Sequence, residues 1–206
     1  MPQTLRIHSF IRRSSVNGPG ERFVLWVQGC TLGCPGCFNP DTHTTEGGQT
    51  LSVNAMADEI LSVDGIEGLT LTGGEPLQQP APLTELCQKV RAASLSVFIF
   101  SGYALKETRQ AQDPAMEELL GLTDILVAGR YVQTRSSNLL WRGSDNQHVH
   151  FLTGRYCPED FTLDKPLGQV EITIDPSGKV SLTGFPDGEL RNSLCGTENI
   201  LPSVVL

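Results

Sequence analysis

The chain has 206 residues, 39% of them hydrophobic, with a formal net charge of −8. That is enough apolar residue for one domain with a sizeable core, and it argues against a disordered chain. The acidic balance argues against a general nucleic-acid binder and against a protein that sits on an anionic membrane surface.

Residues 5–11 alternate and predict a short opening strand, and residues 12–21 carry Asn-Gly-Pro-Gly and read as a loop. Residues 23–27 are a nearly continuous apolar run, as a buried parallel strand would be. A cysteine-rich loop follows, then a polar connection to about residue 50. Thr50 or Ser52 can cap a helix to about residue 63, with Val53, Met56, Ala57, Ile60 and Leu61 on one face. Gly65 and Gly68 bracket the turn into a strand over 69–72, which ends in Gly73-Gly74-Glu75-Pro76. A helix over about 82–93, with Pro82 in its first turn, leads to a strand over 95–100 that ends in Ser101-Gly102-Tyr103. Short helices near 104–110 and 114–121 precede a strand over 124–128, and 149–152 is one more. Residues 170–174 and 179–183 alternate around Asp175-Pro-Ser-Gly178, a hairpin signature. The longest apolar run, 95–100, is too short to span a bilayer, and the first residues lack a signal-peptide apolar stretch. A cytoplasmic protein with no membrane and no nucleic-acid partner is expected.

The alternation of strand and helix predicts a parallel sheet with crossover helices over a core of residues 1–153, with residues 154–206 as an extension carrying the hairpin. The fold class expected is α/β, and only four or five strands are readable before residue 154, too few for a closed eight-stranded barrel.

Cys30, Cys34 and Cys37 form a C-x3-C-x2-C array. Thiolates are soft ligands, and three within eight residues can converge on one metal centre. A [4Fe–4S] cubane normally takes four cysteines, so an array of three leaves one iron open for chemistry. A structural zinc site with His43 as fourth ligand is the alternative, although no second cysteine knuckle exists. Cys87, Cys157 and Cys195 are scattered and read as buried or incidental thiols, which suits a reducing cytoplasm.

In parallel α/β sheets, ligands bind at the carboxyl ends of the strands. The cysteine loop, Gly73-Gly74-Glu75-Pro76 and Ser101-Gly102 all fall on that edge. Gly-Gly lets backbone approach a ligand closely. Glu75 offers a carboxylate that can accept from an ammonium group.

C-x3-C-x2-C after one strand and Gly-Gly-Glu-Pro after the next resembles the radical S-adenosylmethionine superfamily. The fold this implies is an incomplete parallel (βα) barrel of the radical SAM type. More narrowly, Gly29-Cys-Thr-Leu-Gly-Cys-Pro-Gly-Cys-Phe-Asn-Pro, Ser101-Gly102-Tyr103, Asp124-Ile-Leu-Val-Ala-Gly129 and Trp141-Arg-Gly-Ser-Asp-Asn-Gln147 resemble the activating proteins of anaerobic ribonucleoside-triphosphate reductase. These segments cover most of residues 5–153. The resemblance implies that Cys30, Cys34 and Cys37 hold a [4Fe–4S] cluster whose open iron chelates S-adenosylmethionine. One-electron cleavage then gives methionine and a 5′-deoxyadenosyl radical. It implies a large glycyl-radical enzyme subunit as partner and a flavodoxin- or ferredoxin-like electron donor. Gly36, Cys37, Phe38 and Asn39 would line the cofactor, Gly73, Gly74 and Glu75 would meet its amino-acid end, and Ser101 and Gly102 its ribose or carboxylate. Trp26 and Tyr103 are candidates to stack on adenine, though each is more often a packed aromatic. Arg142, Asn146 and Gln147 would organise a loop at the mouth.

The sequence departs from the family in two places. Ala128 stands where the family commonly has aspartate, and the chain continues beyond about residue 154. The hairpin either offers a docking strand to a partner or packs over the open side. Two other readings stay open: a small radical S-adenosylmethionine enzyme that modifies a peptide or metabolite, and a non-catalytic zinc-bound interaction module.

Overall fold

The computed structural model describes residues 3–174, 180–186 and 203–204. Strand β1 (Thr4–Ser14) lies antiparallel between β2 (Arg22–Val27) and β3 (Gln49–Ser52). Helix α1 (Val53–Leu61) leads to β4 (Gly68–Gly73), and α2 (Pro80–Ala92) to β5 (Ser96–Ser101). Helices α3 (Leu105–Gln110) and α4 (Pro114–Leu122) lead to β6 (Ile125–Ala128), and β7 (His148–Phe151) closes the series. The seven strands form one sheet in the order β3-β1-β2-β4-β5-β6-β7. It is a mixed α/β architecture, and among the described residues no pairing joins β3 to β7, so no barrel closes.

The parallel expectation holds for β2, β4, β5 and β6, and fails for the flanking strands. The cause is the connections. A parallel return needs a crossover of a dozen or more residues, usually a helix. Residues 15–21 between β1 and β2 are too few for one. Between β6 and β7 the chain has only a short 3-10 turn at Gln133–Arg135, and β7 runs antiparallel to β6. β1 is also longer than expected, and β3 falls in what reads as a polar connection.

The helices follow their sequence signals. Ser52 Oγ accepts from Ala55 N at 3.1 Å and caps α1, which buries Val53, Met56, Ala57 and Ile60. Leu61, expected on that face, is 43% exposed. α2 starts two residues early, with Pro80 in its first turn, where a missing N–H costs nothing. Among the described residues, no helix is long and apolar enough to cross a membrane.

Strand alternation sends side chains to two different cores. One face packs Leu69, Leu71, Val97, Ile99 and Leu126 against the helices. The other face is aromatic. Phe98 meets Trp141 edge-on at 5.1 Å, and Trp141 meets Phe161 at 5.0 Å. Arg22 is fully buried on this second face, with Phe98 5.8 Å from its guanidinium carbon.

The extension contributes to the second face. β8 (Val170–Ile174) pairs antiparallel with β9 (Val180–Gly184), and β10 (Ser203–Val204) runs parallel to β9. The expected turn at 175–178 and Cys195 lie outside the described residues. Asn17 Nδ2 donates to Thr183 Oγ1 at 3.0 Å, and Ser15 donates to Glu171 from both its N–H, at 2.8 Å, and its hydroxyl, at 2.7 Å. Phe185 packs on Phe100 at 5.6 Å.

Candidate functional site

The carboxyl ends of β2, β4 and β5 lie side by side, because the three strands are adjacent and parallel. The segments that follow them meet around an open cleft of about 130 Å³. Cys30, Cys34 and Cys37 all line it, with Phe38 and Asn39 beside them. Gly73, Gly74 and Glu75 line it from β4, and Ser101 and Gly102 from β5. Gly36, expected beside them, does not line it. It is exposed at φ +69°, a conformation glycine adopts at little cost, and the Gln133 carboxamide lies against it where a Cβ would stand, 2.7–3.0 Å away.

Backbone bonds hold the cysteine loop against its neighbours. Gly29 N donates to Thr42 O at 2.8 Å, and Cys30 N to His43 O at 3.0 Å. Gly74 N donates to Val27 O and Glu75 N to Gly29 O, each at 2.9 Å. A Cβ on Gly74 would stand 2.4 Å from Gly29 O, so the close approach of β4's end to the cysteine loop requires glycine.

Glu75 is 1% exposed and links two strand ends. Its Oε1 accepts from Leu77 N and from Ser101 Oγ, each at 2.9 Å, and its Oε2 accepts from Gly102 N at 2.8 Å. Ser101 Oγ in turn accepts from Tyr103 N at 3.0 Å. Burial pushes the Glu75 carboxyl up to about 7, against these three bonds, which favour the ionised form. Burial also pushes the Cys30 thiol up, with further contributions from Glu75 and Cys37.

A measurable pH dependence follows for the cluster-free protein. Glu75 titrates near its ordinary value of 4.5 when unfolded and about 7 when folded. Between those values the folded chain binds more protons than the unfolded one, so this group's contribution to stability falls as pH rises through the window. The change is on the order of 3 kcal/mol at about 1.4 kcal/mol per pKa unit. Thermal melts at pH 5 and pH 8 are expected to show that loss in the wild type and a flatter profile in Glu75→Gln. Parallel profiles would show that Glu75 titrates normally.

Sequence reading missed Tyr131 and Gly143, which line the cleft beside Phe38. Tyr131 packs on Phe38 at 4.9 Å. It lies three residues past β6, so the strand-end signal that marked Gly74 and Ser101 also marks this position. Asn17, Phe100, Trp141 and Phe185 also line the cleft and carry no local signal.

The adenine-stacking candidates lie elsewhere. Trp26 is fully buried, and Tyr103 packs against the helix-side core with its hydroxyl accepting from Gln78 Nε2 at 3.0 Å. Neither lines the cleft. Ala128 also faces the helix-side core, so the departure from aspartate does not alter the cleft.

The 142–147 loop divides. Gln147 lines the cleft and ties the loop together: its Oε1 accepts from Gly143 N and Ser144 N at 2.9 and 3.2 Å, and its Nε2 donates to Gly129 O at 2.9 Å. Arg142 turns away and donates to Leu163 O of the extension.

The residues fit a cluster better than a single ion. Three thiols border one cleft, none is in a disulfide, and the backbone around them is pinned. Among the described residues, no three His, Cys, Asp or Glu side chains are grouped to hold one metal ion, although His43 borders the same cleft. A tetrahedral zinc would draw its sulfurs to roughly 3.8 Å of one another, given Zn–S bonds of about 2.3 Å. A cubane puts its ligands on different irons and leaves them further apart.

A family model described as a 4Fe-4S single cluster domain matches residues 16–150, a span that contains all three cysteines. The anaerobic ribonucleoside-triphosphate reductase-activating protein of Escherichia coli K12 is 35% identical over 158 residues, 72% of this chain and 99% of the relative. This chain belongs to that activating-protein family. The protein of the same name from Enterobacteria phage T4 is 36% identical over 140 residues, 65% of this chain and 86% of the relative. That from Vibrio cholerae is 33% identical over 159 residues, 72% of this chain and 99% of the relative. The bacterial relatives are thus matched almost end to end, while more than a quarter of this chain has no counterpart in them.

Proposed function

We propose that this chain generates a glycyl radical on the large subunit of an anaerobic ribonucleotide reductase, using a [4Fe–4S] cluster and S-adenosylmethionine. The observation that carries this reading is the convergence of three cysteines, Gly74-Glu75 and Ser101-Gly102 on one open cleft, in a chain of this family. Cys30, Cys34 and Cys37 would hold the cluster. Gly74 offers backbone with no side chain in the way. Among the described residues, Glu75 Oε2 accepts the Gly102 N–H alone, which leaves an acceptor position for an ammonium group. Phe38, Asn39 and Gly73 border the same space. Bound there, cluster and S-adenosylmethionine supply a carbon-centred radical on delivery of one electron, with methionine released.

The cleft's task is to admit a chain segment and exclude water. A glycine Cα–H meets little steric obstruction. When its hydrogen atom is taken, the unpaired electron left on Cα is shared with the flanking amides. A sealed cavity would suit a small metabolite; an open cleft suits a segment of a second protein. The electron comes from a flavodoxin- or ferredoxin-like donor in the reducing cytoplasm.

The test is anaerobic incubation of the reduced protein with S-adenosylmethionine and the candidate large subunit, followed by electron paramagnetic resonance. A doublet is expected that disappears when the partner glycine is changed to alanine. Cleavage of S-adenosylmethionine without a doublet from any candidate subunit would transfer the chain to the peptide- or metabolite-modifying enzymes.

A further inference from the structure

The family model stops at residue 150, yet Phe185 lines the cleft. This residue is built in, not draped. Its ring packs on Phe100, and its N–H donates to Gln169 O at 2.8 Å. Just ahead of it Leu182 and Thr183 are buried at 5% and 3% exposure. Thr183 is joined to Asn17, which also lines the cleft.

The cleft therefore has two ends of different chemistry. The mouth carries the cysteine loop, Gly74 and Gly102, at the strand ends. The deep end is marked by Asn17, whose carbonyl accepts from Thr70 Oγ1 at 2.8 Å. Thr70 lies three residues before the end of β4, roughly 10 Å back along the strand at about 3.3 Å per residue. Trp141 stands near that level, edge-on to Phe98, which pairs with Thr70, while Phe185 packs on Phe100, two residues nearer the strand ends; Phe100, Trp141 and Phe185 all line the cleft.

We infer that Phe185 is a specificity-determining residue that reads the side chains flanking the reacting glycine. The inference rests on the proposed function and adds what kind of segment the cleft takes. In an extended segment successive side chains point to opposite sides. A glycine whose Cα–H turns toward the cysteine loop sends the side chains of its two neighbours toward the aromatic end. A charged neighbour would lose its hydration there, facing Phe100, Trp141 and Phe185 with no counter-charge on any of them. An apolar or aromatic neighbour would gain contact with those rings. The favoured substrate is thus an extended segment with glycine between uncharged, apolar side chains.

The test compares partner subunits that carry a leucine or a lysine next to the radical glycine, with the doublet yield as readout. The wild type is expected to favour the leucine partner by at least about tenfold. Phe185→Ala, which lets water into the deep end, should cut that preference to within about threefold. Phe185→Trp, which narrows it, should keep the preference and lower the leucine yield. Melting temperatures identify a variant that does not fold, in which case Phe185→Trp and Phe185→Leu decide. An unchanged preference in Phe185→Ala overturns the inference, and so does an equal loss with both partners in the folded variants. If the wild type cleaves S-adenosylmethionine but gives no doublet with any partner, the proposed function has failed and this inference falls with it.

Discussion

Alanine at Cys30, Cys34 or Cys37 is expected to abolish the cluster, while alanine at Cys87 or Cys157 leaves it in place. Each of the first three borders the cleft, in a loop whose backbone is tied to Thr42, His43 and Glu75. Removing one leaves two thiolates for a cubane that already lacks a fourth. Iron and sulfide should fall to background and cleavage of S-adenosylmethionine by more than about a hundredfold, since a structural metal site can carry on the order of 10 kcal/mol. Cys87 sits in the helix-side core, where burial pushes its thiol up to about 12, so it has no thiolate to offer. Cys157 is exposed and does not line the cleft. Cys195, outside the described residues, is expected to be dispensable on its sequence spacing alone. Full iron in Cys34→Ala, or a lost cluster in Cys157→Ala, would break the assignment.

The legible parts of this site share one property: each is a short segment at the carboxyl end of a parallel strand. Cys30–Cys37, Gly74-Glu75 and Ser101-Gly102 could be placed together because the sheet rule needs only strand order, not side-chain detail. The directions of β1 and β7 were not legible, since direction follows from the connection and not from the strand's own alternation. β3 was missed because three of its four residues, Gln49, Thr50 and Ser52, are polar and all four are at most half-buried. Phe185, Asn17 and Trp141 come together only through contacts between segments more than 40 residues apart, and no local pattern encodes such a meeting. Glu75 was legible as a site residue but not as a brace. Its bonds to Ser101 and Gly102 exist only once β4 and β5 are side by side.

Replacing Arg22 is expected to be the most damaging change away from the cluster. Arg22 is fully buried, and its five N–H groups meet five acceptors. Nε donates to Thr70 Oγ1 at 2.8 Å, Nη1 to Pro19 O at 3.1 Å and Ser96 Oγ at 2.8 Å, and Nη2 to Leu69 O at 2.8 Å and Ser96 O at 3.3 Å. Burial lowers its pKa, opposed by Tyr156, Glu67 and Asp124. Swapping a buried ion pair for packed apolar groups is often neutral, but here the partners are neutral acceptors that stay behind. Arg22→Met keeps volume and strips those acceptors of their donors, at about 1–3 kcal/mol for each left unsatisfied. Some acceptors keep other bonds: Thr70 Oγ1 still donates to Asn17 O, and Ser96 Oγ still accepts from Tyr156 Oη. A net loss of about 3–5 kcal/mol remains. For a chain of this size that lowers the melting temperature by roughly 10 °C, at about 2–4 °C per kcal/mol. Arg22→Lys should be nearly as harmful, because three donors on a compact ammonium cannot span β4, β5 and the Pro19 loop together. A loss under about 1 kcal/mol for Arg22→Met in thermal or denaturant unfolding would refute this account. The same network reaches the cleft through Thr70, Asn17 and Thr183. Partial destabilisation should therefore loosen the deep wall before the cysteine loop, and in Arg22→Lys the doublet yield with a bulky partner should suffer before iron content does.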